Sequence, residues 1–217
     1  MAVLSHRVRR RQEHGQPATL PLSGDSWGVK ALLARSRSEN FVVASKLLPP
    51  RTRRHLLALY GYFRLVDYAG DEAPGQREAL QDLIEVDLKR VYRGSPRIPQ
   101  LRALETTVRE CGIPCEVLVR LIDANRQDQR VRRYRTFQEL LDYCSLSADP
   151  VGESVLRVFG SAVPELIELS NKVCTSLQIL EHCQDVAEDF RQVHPILPTE
   201  DLERFGCRED GLPIAEP

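Results

Sequence analysis

The sequence has no apolar run near the ~18 to 20 residues that a membrane span needs, and its longest apolar block, Leu56 to Phe63, contains Gly61. No apolar stretch follows the basic N-terminus, so no secretory signal is expected and the chain is expected to be cytoplasmic. Neither sign of charge is in excess: 30 basic against 31 acidic residues leave −1, which removes the electrostatic case for a nucleic-acid partner. Glycine-rich phosphate loops, alternating β-branched runs and solenoid repeats are all missing. Lysine is scarce, with 4 against 26 arginines, a usage compatible with a GC-rich genome. Six cysteines are present, but Cys111 and Cys115 have no second pair at zinc-ribbon spacing. They read as reduced, buried thiols.

What is present is enough for a core: 217 residues, 42% of them hydrophobic. Arg7, Arg9, Arg10 and Arg11 crowd the N-terminus without an acid among them, which leaves two readings, a solvated leader over residues 1–24 or a peripheral contact with anionic lipid. Proline is confined so that residues 51–73, 75–95, 115–149 and 165–194 are free of it, spans too long for strands. Within them the apolar spacing is helical, as in Leu80, Leu83, Ile84, Leu88 and Val91, or Leu118, Val119 and Ile122. The chain is therefore expected to be all-α, with helices near 26–37, 51–72, 76–93, 100–111, 115–127, 136–147, 151–159 and 165–191. Thr136 with Glu139 forms a capping box, and Pro164 with Glu165 opens the last long helix. Residues 192–217, rich in proline and glycine, do not look like a core helix.

Chemistry enters on two helices. Over 51–72 the inward face runs Leu56, Tyr60, Phe63, Asp67, Asp71, so an apolar stripe turns acidic at one end. A buried unpaired carboxylate is costly, so that end must meet water, a basic partner or a metal. On the last helix Gln178, Glu181, Asp185 and Asp189 repeat the pattern, with Val173, Leu177 and Leu180 on a neighbouring face. Like charges four apart repel along a helix. A divalent cation between two such helices removes the repulsion, and Mg²⁺ suits best because it takes one or two carboxylates together with substrate phosphate oxygens. Two acid pairs facing across a bundle thus point to a diphosphate leaving group whose charge a metal stabilises while an apolar interior shelters the carbocation. His55, His182 and His194 have no matched serine or cysteine setting, so a nucleophilic triad is not evident.

Four ordered blocks carry a resemblance: Ser38 to Pro49, Arg64 to Glu72, Tyr143 to Gly152, and Gln178 to Asp189. Over roughly residues 36–206 the chain resembles the squalene and phytoene synthase family, nearest its bacterial hopanoid-associated branch. The resemblance implies a class I isoprenoid synthase bundle over residues 25–206, with 207–217 an irregular tail. It implies that Asp67, Asp71, Asp185 and Asp189 hold Mg²⁺ and that Arg64 lies near the diphosphate. Ser38 and Phe41 match the entrance segment, Tyr143 and Gln178 match pocket residues beside the reacting carbons, and Glu181, in the fourth block, is expected to contribute to substrate binding. Val151 and Gly152 match a helix break that makes room for the isoprenoid tail. The implied reaction is ionisation of presqualene diphosphate to hydroxysqualene or squalene; phytoene synthase is an alternative within the family.

The chain departs from the family pattern at four places. Tyr68 replaces the usual second aspartate of the first motif. Asp149 and Glu153 stand where the branch usually has asparagine and arginine, and they would repel a diphosphate if they faced it. The residues after Asp189 lose a glycine, an arginine and a tyrosine. Family domains continue for several more helices, so apolar surface on the helix at 165–191 is expected to be exposed. That leaves an active synthase, a non-catalytic member binding prenyl diphosphate or a partner synthase, or a plain helical scaffold, and an exposed face allows a fragment, a homodimer or a decaying gene product.

Overall fold

The computed structural model describes residues 45–131, 133–191 and 197–206, with side chains in the last long helix as far as Cys183. The expected leader, the helix at 26–37 and the tail beyond 206 lie outside the described residues. Within them the chain is all-α: α1 Pro50–Asp67, α2 Arg77–Val91, α3 Pro99–Cys111, α4 Cys115–Arg130, α5 Phe137–Ser147, α6 Asp149–Val158, α7 Pro164–Arg191 and α8 Thr199–Arg204. Proline sits in the first turn of α1, α3 and α6, where its missing N–H has no helical partner to lose. At α5 the Thr136 hydroxyl accepts from the Glu139 N–H at 3.1 Å. The Glu139 carboxylate returns to the N–H of Arg135 and not to that of Thr136, so the box closes one residue early.

The bundle is organised around α1. Leu56, Tyr60 and Phe63 are buried as the stripe requires, but Leu59, Tyr62, Leu65 and Val66 are buried too, so the helix is enclosed on several sides. It packs against α3, α4 and α6. Tyr62 is fully buried and donates its hydroxyl to the Leu118 carbonyl at 2.8 Å, which satisfies the one polar atom this core phenol carries. On α2, Leu80, Ile84, Leu88 and Val91 join the same core while Leu83 is 57% exposed. Leu83 lies about 60° to one side of Leu80 and the other three lie to the opposite side, which takes it off the buried face.

A smaller cluster of Ala124, Tyr134, Leu140, Tyr143 and Cys144 joins α4, α5 and α7. Part of the proline- and glycine-rich stretch that was not expected to look like a core helix forms a short one, α8. Thr199 and Glu200 donate their N–H groups to the carbonyls of Tyr134 and Arg135 at 3.1 and 3.0 Å, and Leu202 is buried, so α8 docks on the turn before α5. The thiols also differ from a uniform buried set. Cys144 and Cys174 are buried, and burial pushes Cys144 up to about 12, whereas Cys111 and Cys115 are half-buried and Cys183 is exposed.

Two features of α6 and α7 depart from what the resemblance implies or bear it out. The break expected at Val151 and Gly152 lies earlier, at Ala148, and α6 runs unbroken through both residues. Gly152 instead marks where α6 and α7 touch: a Cβ there would lie 2.3 Å from Ser170 Oγ and 2.6 Å from Cys174 Sγ. Leu166, Leu169, Val173, Leu177 and Leu180 on α7 are all exposed, as expected. Gly152→Ala is expected to force the helices apart and cost about 1–3 kcal/mol. Urea denaturation measures this, and the double variant Gly152→Ala/Cys174→Ala should recover part of the loss; an unchanged midpoint in the single variant would refute the contact.

Candidate active site

α1 does not continue as an α-helix to residue 72. After Asp67 it widens into a π-helical turn, Tyr68–Glu72, closed by the Ala73 N–H on the Tyr68 carbonyl at 2.7 Å. Asp67 and Asp71 therefore flank a change of winding, and their four-residue step is not that of a regular α-helix. Both are half-buried, at the end of the stripe that begins with Leu56. Arg64, one turn earlier, lies 3.8 Å from the Asp67 carboxylate and donates to Glu72 at 3.1 Å. Tyr68 packs against the main core, and burial together with neighbouring Glu72 pushes its phenol upward, so it stays neutral where the family pattern has a carboxylate.

The turn is held from outside. Arg77 donates to the carbonyls of Asp71 at 2.8 Å and Ala73 at 3.1 Å, and Gln129 on α4 donates to the Gly70 carbonyl at 2.8 Å. A Cβ at Gly70 would stand 2.0 Å from Asn125 Oδ1 and 2.9 Å from its Cγ, so any larger residue there would have to displace the Asn125 side chain. Beside Gln129, Asp128 is buried and accepts the Tyr143 hydroxyl at 2.9 Å. Tyr143 lies against Tyr134, with ring centroids 5.6 Å apart, and meets the edge of His182 at 6.0 Å. His182 Nε2 is 2.9 Å from Gln178 Nε2. Glu181, its neighbour in sequence, is half-buried.

Two groups of expected residues are thus brought together. Arg64, Asp67 and Asp71 gather at the π turn, and Tyr143 and Gln178 meet through His182. The last turns of α4 join the groups, with Asn125 and Gln129 on one and Asp128 on the other. Asp185 and Asp189 lie on the α7 backbone at steps of four from Glu181, with side chains outside the described residues, as are Ser38 and Phe41. Val151 is buried in the core and Gly152 faces α7. Asn125, Arg77, Asp128, Gln129, Tyr134 and His182 were not anticipated. Three of them, Asn125, Asp128 and Gln129, fall at i, i+3 and i+4 on one side of α4, but Glu116, Arg120, Asp123, Arg126 and Arg130 on the same helix hide that signal.

The acidic departures are neutralised or sheltered. Glu153 is clamped by Arg120 at 2.7 Å and Arg157 at 2.8 Å, so its charge is spent on protein partners. Asp149 is buried and accepts from Thr175 Oγ1 at 3.1 Å on α7. Among the described residues no three His, Cys, Asp or Glu side chains gather closely enough to hold a metal. The donor chemistry of Asp67 and Asp71 nevertheless fits Mg²⁺: two carboxylates on one half-buried turn, hard oxygen ligands with access to water.

Comparison with known proteins decides the family, because the squalene/phytoene synthase model matches residues 34–215. The chain belongs to the squalene/phytoene synthase family. Among solved structures it resembles squalene synthase from Alicyclobacillus acidocaldarius, at 42% identity and a TM-score of 0.78 over 84% of this chain and 69% of that one. Its all-α fold is accordingly the class I isoprenoid synthase bundle. Hydroxysqualene synthase of Sinorhizobium fredii is 33% identical over 84% of this chain and 63% of its own length. Phytoene synthase of Cereibacter sphaeroides is 31% identical over 85% of this chain and 53% of its own. The chain spans less than two thirds of the length of these two enzymes.

Asp149 yields a pH test. Burial raises its carboxyl above the usual range, and the Thr175 hydrogen bond only partly opposes this. A raised carboxyl costs stability that grows as pH climbs from the ordinary carboxylate range to its folded value, is complete above that value, and is absent below the ordinary range. Asp149→Asn, the residue usual in the resembled branch, is expected to raise the melting temperature at pH 7 and to leave it unchanged near pH 3. A lower melting temperature at pH 7 would contradict the burial account.

Proposed function

We propose that the chain is a prenyl-diphosphate synthase of this family that ionises presqualene diphosphate and captures the cation with water, giving hydroxysqualene in hopanoid biosynthesis. The observation that carries the reading is the π turn, where Asp67 and Asp71 stand beside Arg64 and one α4 turn from the Tyr143 network. Asp67 and Asp71 would hold Mg²⁺ from one side, and Asp185 and Asp189 from α7. When bound, Mg²⁺ neutralises the charge that develops on the departing diphosphate. The carbon–oxygen bond breaks with its electron pair leaving on pyrophosphate, and a water supplies the new hydroxyl and releases its proton.

The chain's own groups have separate tasks in this scheme. Arg64 keeps a guanidinium at the mouth of the turn, where it can pass from Glu72 to a phosphate oxygen. Tyr143, with its proton committed to Asp128, presents oxygen lone pairs and ring faces to an electron-poor carbon. Ser38 and Phe41 are assigned to the entrance and Gln178 and Glu181 to the pocket wall on the family pattern.

A second reading is favoured by Tyr68, whose packing against the core puts a neutral phenol where the pattern has a carboxylate. The chain would then bind a prenyl diphosphate or a partner synthase without turning substrate over. Incubation with Mg²⁺ and presqualene, farnesyl or geranylgeranyl diphosphate, followed by pyrophosphate release and product extraction, separates the readings. The synthase reading expects turnover with presqualene diphosphate, lost at least about 100-fold in Asp67→Asn and Asp71→Asn. Mg²⁺-dependent binding without product supports the second reading. Turnover only of geranylgeranyl diphosphate assigns the chain to the phytoene branch, and neither turnover nor binding defeats both.

A further inference from the structure

Tyr62 and Tyr92 both end on the backbone, donating to the carbonyls of Leu118 and Ile113 at 2.8 and 2.9 Å. Tyr143 ends instead on a carboxylate: it donates to Asp128 Oδ2 at 2.9 Å, and both residues are buried. A carbonyl is enough to satisfy a buried hydroxyl, whereas a carboxylate is far more costly to bury. Asp128 therefore calls for a use beyond packing.

The direction of this hydrogen bond is fixed by chemistry. A carboxylate can only accept, so the Tyr143 proton points at Asp128 and the phenol oxygen keeps lone pairs for a second donor. A hydroxyl whose own proton already faces a buried base is set to take up one proton and pass on another. Position agrees, because Asp128 precedes Gln129, which holds the Gly70 carbonyl of the acidic turn. Other carboxylates around the site have different tasks. Asp67 and Asp71 are assigned to the metal, Glu72 pairs with Arg64, Glu153 is clamped by two arginines and Asp149 lies beneath Thr175. His182 meets the edge of the Tyr143 ring, with its Nε2 on Gln178, so it braces the ring and not the hydroxyl.

We propose that Asp128 is the final acceptor of the proton released by the capturing water, reached through the hydroxyl of Tyr143. The inference rests on the hydration reading above. Water adds to a cation reversibly as long as the new oxygen keeps both its hydrogens, so the placing of a base decides whether the alcohol accumulates. A lone pair of the water oxygen forms the carbon–oxygen bond. One of its hydrogens passes to the Tyr143 oxygen as a proton, while the phenolic proton passes to Asp128 Oδ2. The product is a neutral alcohol, Tyr143 is again a phenol, and Asp128 is a carboxylic acid that gives its proton to solvent when the product leaves. Asp128 acts through Tyr143 and does not touch the substrate, so it is a positioning residue for the proton transfer.

The test is the share of hydroxysqualene among all products of presqualene diphosphate, measured on the full chain with Mg²⁺, a ratio that does not depend on overall rate. In Asp128→Asn the amide oxygen still accepts the Tyr143 hydroxyl but takes up no proton. The share is expected to fall at least about 10-fold, in favour of hydrocarbons formed by loss of a proton from carbon. Tyr143→Phe should show the same fall and the double variant no further one, because both changes break a single path. An Asp128→Asn variant that melts like the wild type and keeps its product share overturns the inference and leaves the synthase reading standing. Independent, multiplying effects of the two changes overturn it as well. Where Asp128→Asn does not fold, a folded Tyr143→Phe with the wild-type share overturns it alone. A wild type that yields no hydroxysqualene defeats the hydration reading and the inference with it.

Discussion

The contact between Gly70 and α4 is the constraint on which the candidate site depends. When α1 widens after Asp67, carbonyls at Gly70, Asp71 and Ala73 must find partners other than the next turn of α-helix. Gln129 and Arg77 supply them, and Asn125 fills the space a Cβ at position 70 would need. The acids are therefore placed by the backbone around them and not by their own preference. Since α4 also carries Asp128, the same two turns orient Tyr143 on the opposite flank. One helix end thus relates the acidic turn of α1 to the aromatic cluster between α5 and α7.

Much of the architecture was legible beforehand because it rests on local signals. Proline at helix starts, the Thr136 cap and the apolar periodicity of α1 and α2 all act within a few residues, and the helices lie close to where those signals put them. The acid stripe of α1 was visible for the same reason. The π turn was not, because α-helical spacing from Leu56 to Asp71 looks uninterrupted until Arg77 and Gln129, the latter 59 positions from Gly70, take hold of the carbonyls. The Asp128–Tyr143–His182 contacts escaped notice likewise, since each lies on a different helix. Leu83 was misassigned by counting spacing without the sense of rotation around α2. The helix break near Gly152 was displaced because the resemblance marks that pair, while local backbone geometry marks Ala148.

Charge shows the same division between composition and context. Asp149 and Glu153 look hostile to a diphosphate when only their sign is known. In place, Glu153 is closed between two arginines from different helices, and Asp149 is turned into the α6–α7 seam beneath Thr175. A buried ion pair of this kind contributes more to fixing how α4 and α6 meet than to net stability. The close approach at Gly152 reinforces that seam, so α7 is held on its polar side by small residues and hydrogen bonds while its oily side faces out.

The π turn also has a meaning for how this segment can change over time. It contains one residue more than the α-helical turn it replaces, so its geometry is recorded in chain length as well as in side chains. A single deletion between Tyr68 and Glu72 would let α1 run on as ordinary helix, swing everything beyond it by about 100° and strand Gln129 without its carbonyl. Point substitutions can drift across that turn one at a time, as Tyr68 shows, but its length cannot.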